Sequence, residues 1–358
     1  MTAEKKSFHR VVSVNPLQQS SQNTSDGLIA MTQVVLHIGM HKTGSTAIQK
    51  RLEANAELLD RLGISFDDDS KNQLKSAAKK RDFKPWRQKL RQARKRNNST
   101  LLISNEVLSH LLAPEPNQPG DCLGTWLTEA FLNKGCSVTL VAFIRDQPNH
   151  LNSQYTQHVK KFGLDCSFET FARRKMDHTK ARGECDPWRL FGWILEDPRL
   201  TAHLLPYGGT KAADPFQQLL HVIGTASTTS WRDIQRVNEQ PGRLAIATAL
   251  EVLHQRALQE RPLTGRRERK RAFRKLEAAA KRHGWPKERY KGLTPALYRE
   301  IRAHYRSGND AFAQRVWGEA NWATLFPDEP PTEQAELRWH QRWLVEWESW
   351  RICRALQR

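Results

Sequence analysis

The sequence predicts an α/β fold, with three layers around a central parallel sheet and a mainly helical C-terminal part. Three observations predict it. Short apolar runs of strand length recur (QVVLHI at 33–38, LLI at 101–103, SVTLVAFI at 137–144), each closed by a glycine or a polar residue. Stretches with apolar residues at helical spacing separate them, the alternation that builds parallel strands and crossover helices. Beyond Leu205 the strand-like runs stop and long helical patterns take over.

Residues 33–38 read as a buried strand because Val34, Val35, Leu36 and Ile38 form one apolar run ending at Gly39. The glycine-containing turn 39–44 follows. A helix over 45–62 comes next, with Ile48, Leu52, Leu58, Leu59 and Leu62 at helical spacing until Gly63 stops it. Residues 64–66 form a short strand and complete the opening βαβ unit. The segment 71–96 is dense in Lys and Arg around a thin seam of Phe83, Trp86 and Leu90, and Pro85 breaks this helix or starts a second one. The strand at 101–103 ends in Ser104, Asn105 and Glu106. A helix near 125–133 leads to the strand 137–144, which ends at Arg145, and Pro148 suits the first turn of a helix carrying Ser153 and Tyr155. Farther on, 243–258 and 266–283 read as helices, the second too charged to be buried, and 297–319 is mainly helical. A last helix, from about 333, sets Trp339, Trp343, Trp347 and Trp350 three or four apart on one face. That face is expected to dock on the body of the protein, with an aromatic platform for sugar rings as the lesser reading.

Composition narrows the function classes without choosing among them. The 358 residues suffice for one large domain, expected over 31–330, with the Trp-rich helix 331–358 packed on it. Residues 1–30 are polar, lack the apolar core of a signal peptide and read as a disordered tail; a start at Met1 or at Met31 is equally compatible with the pattern. No apolar run approaches the roughly 18 residues of a membrane helix, so the expected location is cytoplasmic. Five cysteines, odd in number and without CxxC spacing, argue against a disulfide framework and against a zinc site, and no metal is expected. The net charge of +19 favours polyanions of any kind: nucleic acid, anionic glycan, membrane surface or nucleotide. No nucleic-acid module accompanies it. The basic segments 71–96 and 266–275 read first as solvated helices, and second as surfaces that recruit an acidic polysaccharide or an anionic membrane face.

The informative stretch is VVLHIGMHKTGSTAIQKRL, 34–52. A strand, a glycine turn and a helix N-terminus in succession form an anion cradle of backbone N–H groups reinforced by the helix dipole. Gly39 and Gly44 have the spacing of a Walker A loop, but Ser45 fills the lysine position and Lys42 lies inside the loop. A nucleoside-triphosphate enzyme needs that lysine at the β- and γ-phosphates, which counts against a P-loop kinase or NTPase. Here the charge sits where it can meet a leaving group's bridging oxygen. Two further elements stand at strand ends: Arg145 with Ser153 eight residues on, and Glu106, beyond a carboxyl end where open α/β sheets place ligands. Taken alone, Glu106 also fits a helix-start glutamate complementing the dipole, and Arg145 a surface ion pair. His37 points with its strand and reads as a core histidine, whereas His41 lies in the loop.

The loop HIGMHKTGST resembles that of the sulfotransferases that use 3′-phosphoadenylyl sulfate (PAPS), particularly their bacterial branch. The likeness covers 34–63 and 101–160, extends loosely to the N-x-x-F-A run of Asn309 and Phe312, and is vague elsewhere. It implies a P-loop-like sulfotransferase fold in which Lys42, Thr43, Gly44, Ser45 and Thr46 hold the donor's 5′-phosphosulfate. It implies that Arg145 and Ser153 grip the 3′-phosphate that separates PAPS from ATP. Lys42 would stabilise charge on the departing nucleotide, PAP, and Glu106 or His41 would take the acceptor's proton. The acceptor would be an unknown hydroxyl or amine, on an anionic glycan or another small molecule. No segment matches the adenine-side loop of the animal cytosolic enzymes, so the adenine contacts are unassigned. A non-catalytic polyanion-binding protein is the alternative built on charge alone.

Overall fold

The computed structural model describes residues 31–115, 122–177, 183–211, 213–225, 230–234, 242–285 and 288–357. The predicted tail, 1–30, lies outside them. The elements in chain order are β1 (Thr32–His37), α1 (Ser45–Ala54), α2 (Ala56–Arg61), β2 (Ile64–Asp67), α3 (Gln73–Lys79), α4 (Lys84–Lys95) and β3 (Thr100–Ser104). They continue with α5 (Leu108–Leu112), α6 (Leu123–Leu132), β4 (Cys136–Ile144), α7 (Gln147–Lys160), α8 (Phe168–Met176), α9 (Pro187–Leu195) and β5 (Leu200–Pro206). The C-terminal part is helical: α10 (Pro215–Val222), α11 (Arg243–Leu258), α12 (Arg266–Arg282), α13 (Pro295–Phe312) with short turns at Ala313–Trp317 and Trp322–Thr324, and α14 (Trp339–Leu356). The chain divides into two compact units, the first from Met1–Asp146, Arg182–Gln235 and Tyr305–Asp328, the second from the remainder.

The first unit is the α/β part. Its five strands are all parallel, in the order β2-β3-β1-β4-β5, with β1 in the centre. Pleating divides the strand side chains between two cores. Val34, Leu36 and Ile38 join Leu101, Ile103, Leu140 and Ala142 on one face, covered by residues of α3, α4, α6 and α9. Val35, Leu102, Val141 and Phe143 line the other face with residues of α1 and α10. Helices on both faces of a buried parallel sheet make the three layers, which explains why the strands read as unbroken apolar runs.

Several local expectations change. The helix expected over 45–62 is two helices, because buried Asn55 donates from Nδ2 to Arg51 O (2.7 Å) and Arg232 O (3.0 Å) and accepts from Arg232 N (2.8 Å). A pinned asparagine competes with the helical ladder and ends it. Pro85 opens a second helix, standing in the first turn of α4. A strand the sequence reading lacks, β5, closes the sheet; only Leu200 and Leu204 of it are buried, the thin signal of an edge strand.

In the second unit α14 packs on α11 and α12. The tryptophan face does not dock, contrary to expectation. The packed face is the opposite one, Val345, Ser349, Ile352, Cys353 and Leu356, while Trp339, Trp343, Trp347 and Trp350 are exposed. The buried face also carries Glu348, whose carboxylate is held by Arg282 (2.8 Å), His283 (2.7 Å) and Arg351 (3.1 Å). Burial alone pushes that carboxyl up, yet the His283 hydrogen bond and the two arginines bring it below its ordinary value. The helix also begins at Trp339, six residues later than expected.

Candidate active site

Four adjacent strands, β3, β1, β4 and β5, end side by side and deliver one chemistry-bearing residue or loop each. The register sets His37 of β1 beside Ser104 of β3 and Val141 of β4. Beyond those ends lie the 39–44 loop, Glu106, Arg145 and Tyr207. This is the carboxyl edge of an open parallel sheet, at the central strand from which the order runs both ways.

The loop is a shaped turn. Lys42 has φ 66° and Gly44 φ 83°, both in the left-handed region. A Cβ at Gly44 would also meet Tyr207 Cε2 at 3.3 Å, so that position requires glycine twice over. Thr43 is fully buried, and its hydroxyl donates to Met40 O (2.6 Å). That hydroxyl therefore holds the turn, and what Thr43 offers a ligand is main chain. Arg145 Nη1 donates to Lys42 O (2.9 Å), and its guanidinium lies 5.7 Å from the Tyr207 ring centre. The residue expected at a phosphate thus also braces the loop. Ala47 and Ile48 N–H both bond to Gly44 O, so the amides of Ser45 and Thr46 open the helix without an intrahelical acceptor. Ser45 Oγ is buried and has no hydrogen bond of ordinary geometry among the described residues. Thr46 is exposed.

On the other side of the loop, His41 Nδ1 meets Glu106 Oε1 at 3.2 Å, and the His41 ring stacks on His110 with centres 5.1 Å apart. Burial pushes the Glu106 carboxyl up, but the His41 hydrogen bond and charge, the Ser45 hydroxyl and the Lys42 ammonium together bring it below its ordinary value. Glu106 stands in a held turn: Asn105 N donates to His37 O (3.0 Å), Asn105 Nδ2 to Asp69 Oδ2 (3.0 Å), and Val107 N to Asn105 Oδ1 (3.0 Å). Gln49 of α1 clamps the same strand end through Ser104 O (2.9 Å). The structure therefore brings Lys42, Ser45, His41, Glu106 and Arg145 to one strand edge of the first unit. Ser153 lies buried on α7 in the second unit, and its assignment to the donor's 3′-phosphate rests on the resemblance alone. Sequence reading missed Tyr207 and His110. Tyr207 follows the unread β5, and His110 stands four residues after Glu106, one helical turn on.

His37 is a core histidine, as expected. It is fully buried, its Nδ1 pairs with Ser104 Oγ (2.8 Å), and its ring meets Phe143 edge-on at 5.6 Å. Burial lowers it to about 4, against an upward pull from Glu106. A histidine neutral when folded but protonated when unfolded removes stability as pH falls from 6.5 towards about 4. Over that window the loss is expected to reach roughly 3 kcal/mol, by about 1.4 kcal/mol per pH unit. Urea unfolding at pH 7.5, above the window, and at pH 4.5, near its lower end, measures it. In His37→Gln this component should vanish, and an unchanged pH slope there would assign the effect to other groups.

Comparison of the chain with protein-family models, curated proteins and solved structures gives no match. The functional reading stands on the site's own chemistry and on the resemblance of its loop.

Proposed function

We propose that this chain is a sulfotransferase that moves a sulfuryl group from PAPS to a hydroxyl or amine of an acceptor such as a carbohydrate. One observation carries the reading: at the carboxyl end of β1 a helix N-terminus, a lysine in left-handed backbone inside the loop, and a histidine–carboxylate pair 3.2 Å apart stand together. The helix-start amides of Ser45 and Thr46 and the Ser45 hydroxyl suit the oxygens of a phosphosulfate. Arg145 brings a planar cation to the neighbouring strand end, which suits the 3′-phosphate.

In this reading Glu106 holds His41 through Nδ1 and leaves Nε2 to act as base. A carboxyl kept below its ordinary value is a poor base itself but a good partner for an imidazolium. The acceptor O–H gives its proton to His41 Nε2, and its oxygen attacks sulfur. The bond from sulfur to the bridging phosphate oxygen breaks, its electron pair staying on that oxygen, and PAP leaves. Lys42 stabilises the charge arriving there. Positioning and electrostatics supply the catalysis, with no covalent enzyme intermediate.

The test is thermal stabilisation by PAP, compared with ATP plus magnesium and with 5′-AMP, in the wild type, Lys42→Ala and Arg145→Ala. PAP at a hundred times its dissociation constant is expected to add about 2.7 kcal/mol to the wild type. Both variants should lose most of that shift. No PAP shift, or a larger one with ATP and magnesium, sinks the sulfotransferase reading and favours a kinase.

A further inference from the structure

We infer that the exposed tryptophan ridge of α14 docks this protein on an anionic lipid bilayer surface. The inference does not depend on the sulfotransferase reading. Trp339, Trp343, Trp347 and Trp350 are 82%, 60%, 44% and 46% exposed, and they form one line on the face opposite the packed one. From first to last the line runs about 16 Å along the helix at 1.5 Å per residue. Four indoles at these exposures present on the order of 500 Å² of aromatic surface, a patch large enough to mark an interaction site.

The arrangement of the rings narrows the occupant. Trp343 and Trp347 lie face to face, 5° from parallel with centres 6.0 Å apart, and Trp347 and Trp350 stack at 5.4 Å. Neighbouring rings in this stack cover part of one another's faces. Sugar rings stack on aromatic faces, whereas indoles insert among lipid headgroups with the N–H kept in the wet layer. Charge narrows it further. Arg342, Arg351 and Arg354 flank the ridge: Arg354 sits over the Trp350 ring at 5.2 Å, while Arg342 pairs with Glu336 and Arg351 with Glu348. The adjacent helix α12 carries nine basic residues against two acidic ones. A second copy would set this basic surface against itself, and two ridges together bury on the order of 1,000 Å², at or below the lower edge for a stable dimer. A helix with aromatic residues on its free face beside a strongly basic neighbouring helix suits the plane of an anionic interface.

The experiment uses the full chain with vesicles of phosphatidylcholine alone and of phosphatidylcholine mixed with phosphatidylserine. Flotation measures binding, and brominated acyl chains report tryptophan insertion by quenching. The wild type is expected to float with the mixed vesicles and to be quenched by brominated lipid. In the double variant Trp343→Ala/Trp347→Ala, binding should fall on the order of tenfold or more and the quenching should largely vanish. Both sites are exposed, and an unchanged melting temperature verifies the fold. A second variant, Trp347→Phe, keeps an aromatic ring and should retain part of the binding. Absence of vesicle binding by the wild type overturns the inference, as does equal binding by the double variant, which would mean charge alone. It is also overturned if dextran sulfate, and not vesicles, shields the ridge from acrylamide quenching. A dimer in light scattering that the Trp343→Ala/Trp347→Ala change dissociates would assign the ridge to self-association.

Discussion

His41→Ala is expected to lower the rate of PAP release with an acceptor by roughly 10²–10⁴-fold, while PAP affinity stays within about threefold of wild type. The expectation follows from position. His41 stands in the loop with Nδ1 facing Glu106, so loss of the ring removes the proposed base and leaves the helix-start amides in place. Glu106→Gln keeps the shape of the side chain and removes the charge that supports a protonated imidazole. Its effect should be of the same direction, and the double variant should be no slower than the slower single one, because paired groups act as a unit. The readout is PAP release across a panel of sugars, phenols and amines, using the acceptor of highest turnover. If His41→Ala retains near wild-type turnover while Glu106→Gln is inactive, Glu106 itself is the base. Unaffected turnover in both variants removes the pair from the reaction.

Lys42→Gly is expected to cost roughly 10²–10³-fold in kcat with folding stability unchanged within about 1 kcal/mol. Lys42 holds a left-handed φ of 66°, a conformation that glycine adopts without penalty. Removing that strain offsets the greater freedom glycine has in the unfolded chain. The lost ammonium also withdraws one of the attractions that hold the Glu106 carboxyl low, so Lys42→Gly should raise the pH at which Glu106 protonates. Chemical denaturation and turnover, measured on one preparation, separate the two effects. A variant that keeps wild-type kcat would show that Lys42 does not meet the leaving group.

The elements read best from the chain are those whose local pattern is also their buried pattern. Val34, Val35 and Leu36 are fully buried on both faces of a central strand, so an unbroken apolar run is enough to find it. The edge strand β5 has no such run, and Tyr207, which seals Gly44, was missed along with it. Asn55 looks like one more polar residue on a helix until Arg232, far along the chain, supplies the backbone that pins it. The site shows the same division. The 39–46 loop, Glu106 and Arg145 were legible because each stands where a strand run ends. The bond from Arg145 to Lys42 O and the stacking of His110 on His41 were not, since no spacing within one segment encodes a contact between segments.

The sequence by itself determined the α/β class, the buried strand at 33–38, the glycine-containing turn after it and the residues set at the strand ends, because hydrophobic period and turn chemistry act over a few neighbouring residues. Only the tertiary structure decided the strand order, the pairing of His41 with Glu106, the commitment of the Thr43 hydroxyl to Met40 O, and which face of α14 is buried. That last choice shows the physical reason most plainly. Local hydrophobicity assigns the four tryptophans to the inside. The packed face instead carries smaller side chains that fit against α11, and it takes Glu348 with it because Arg282, His283 and Arg351 converge to neutralise the carboxylate.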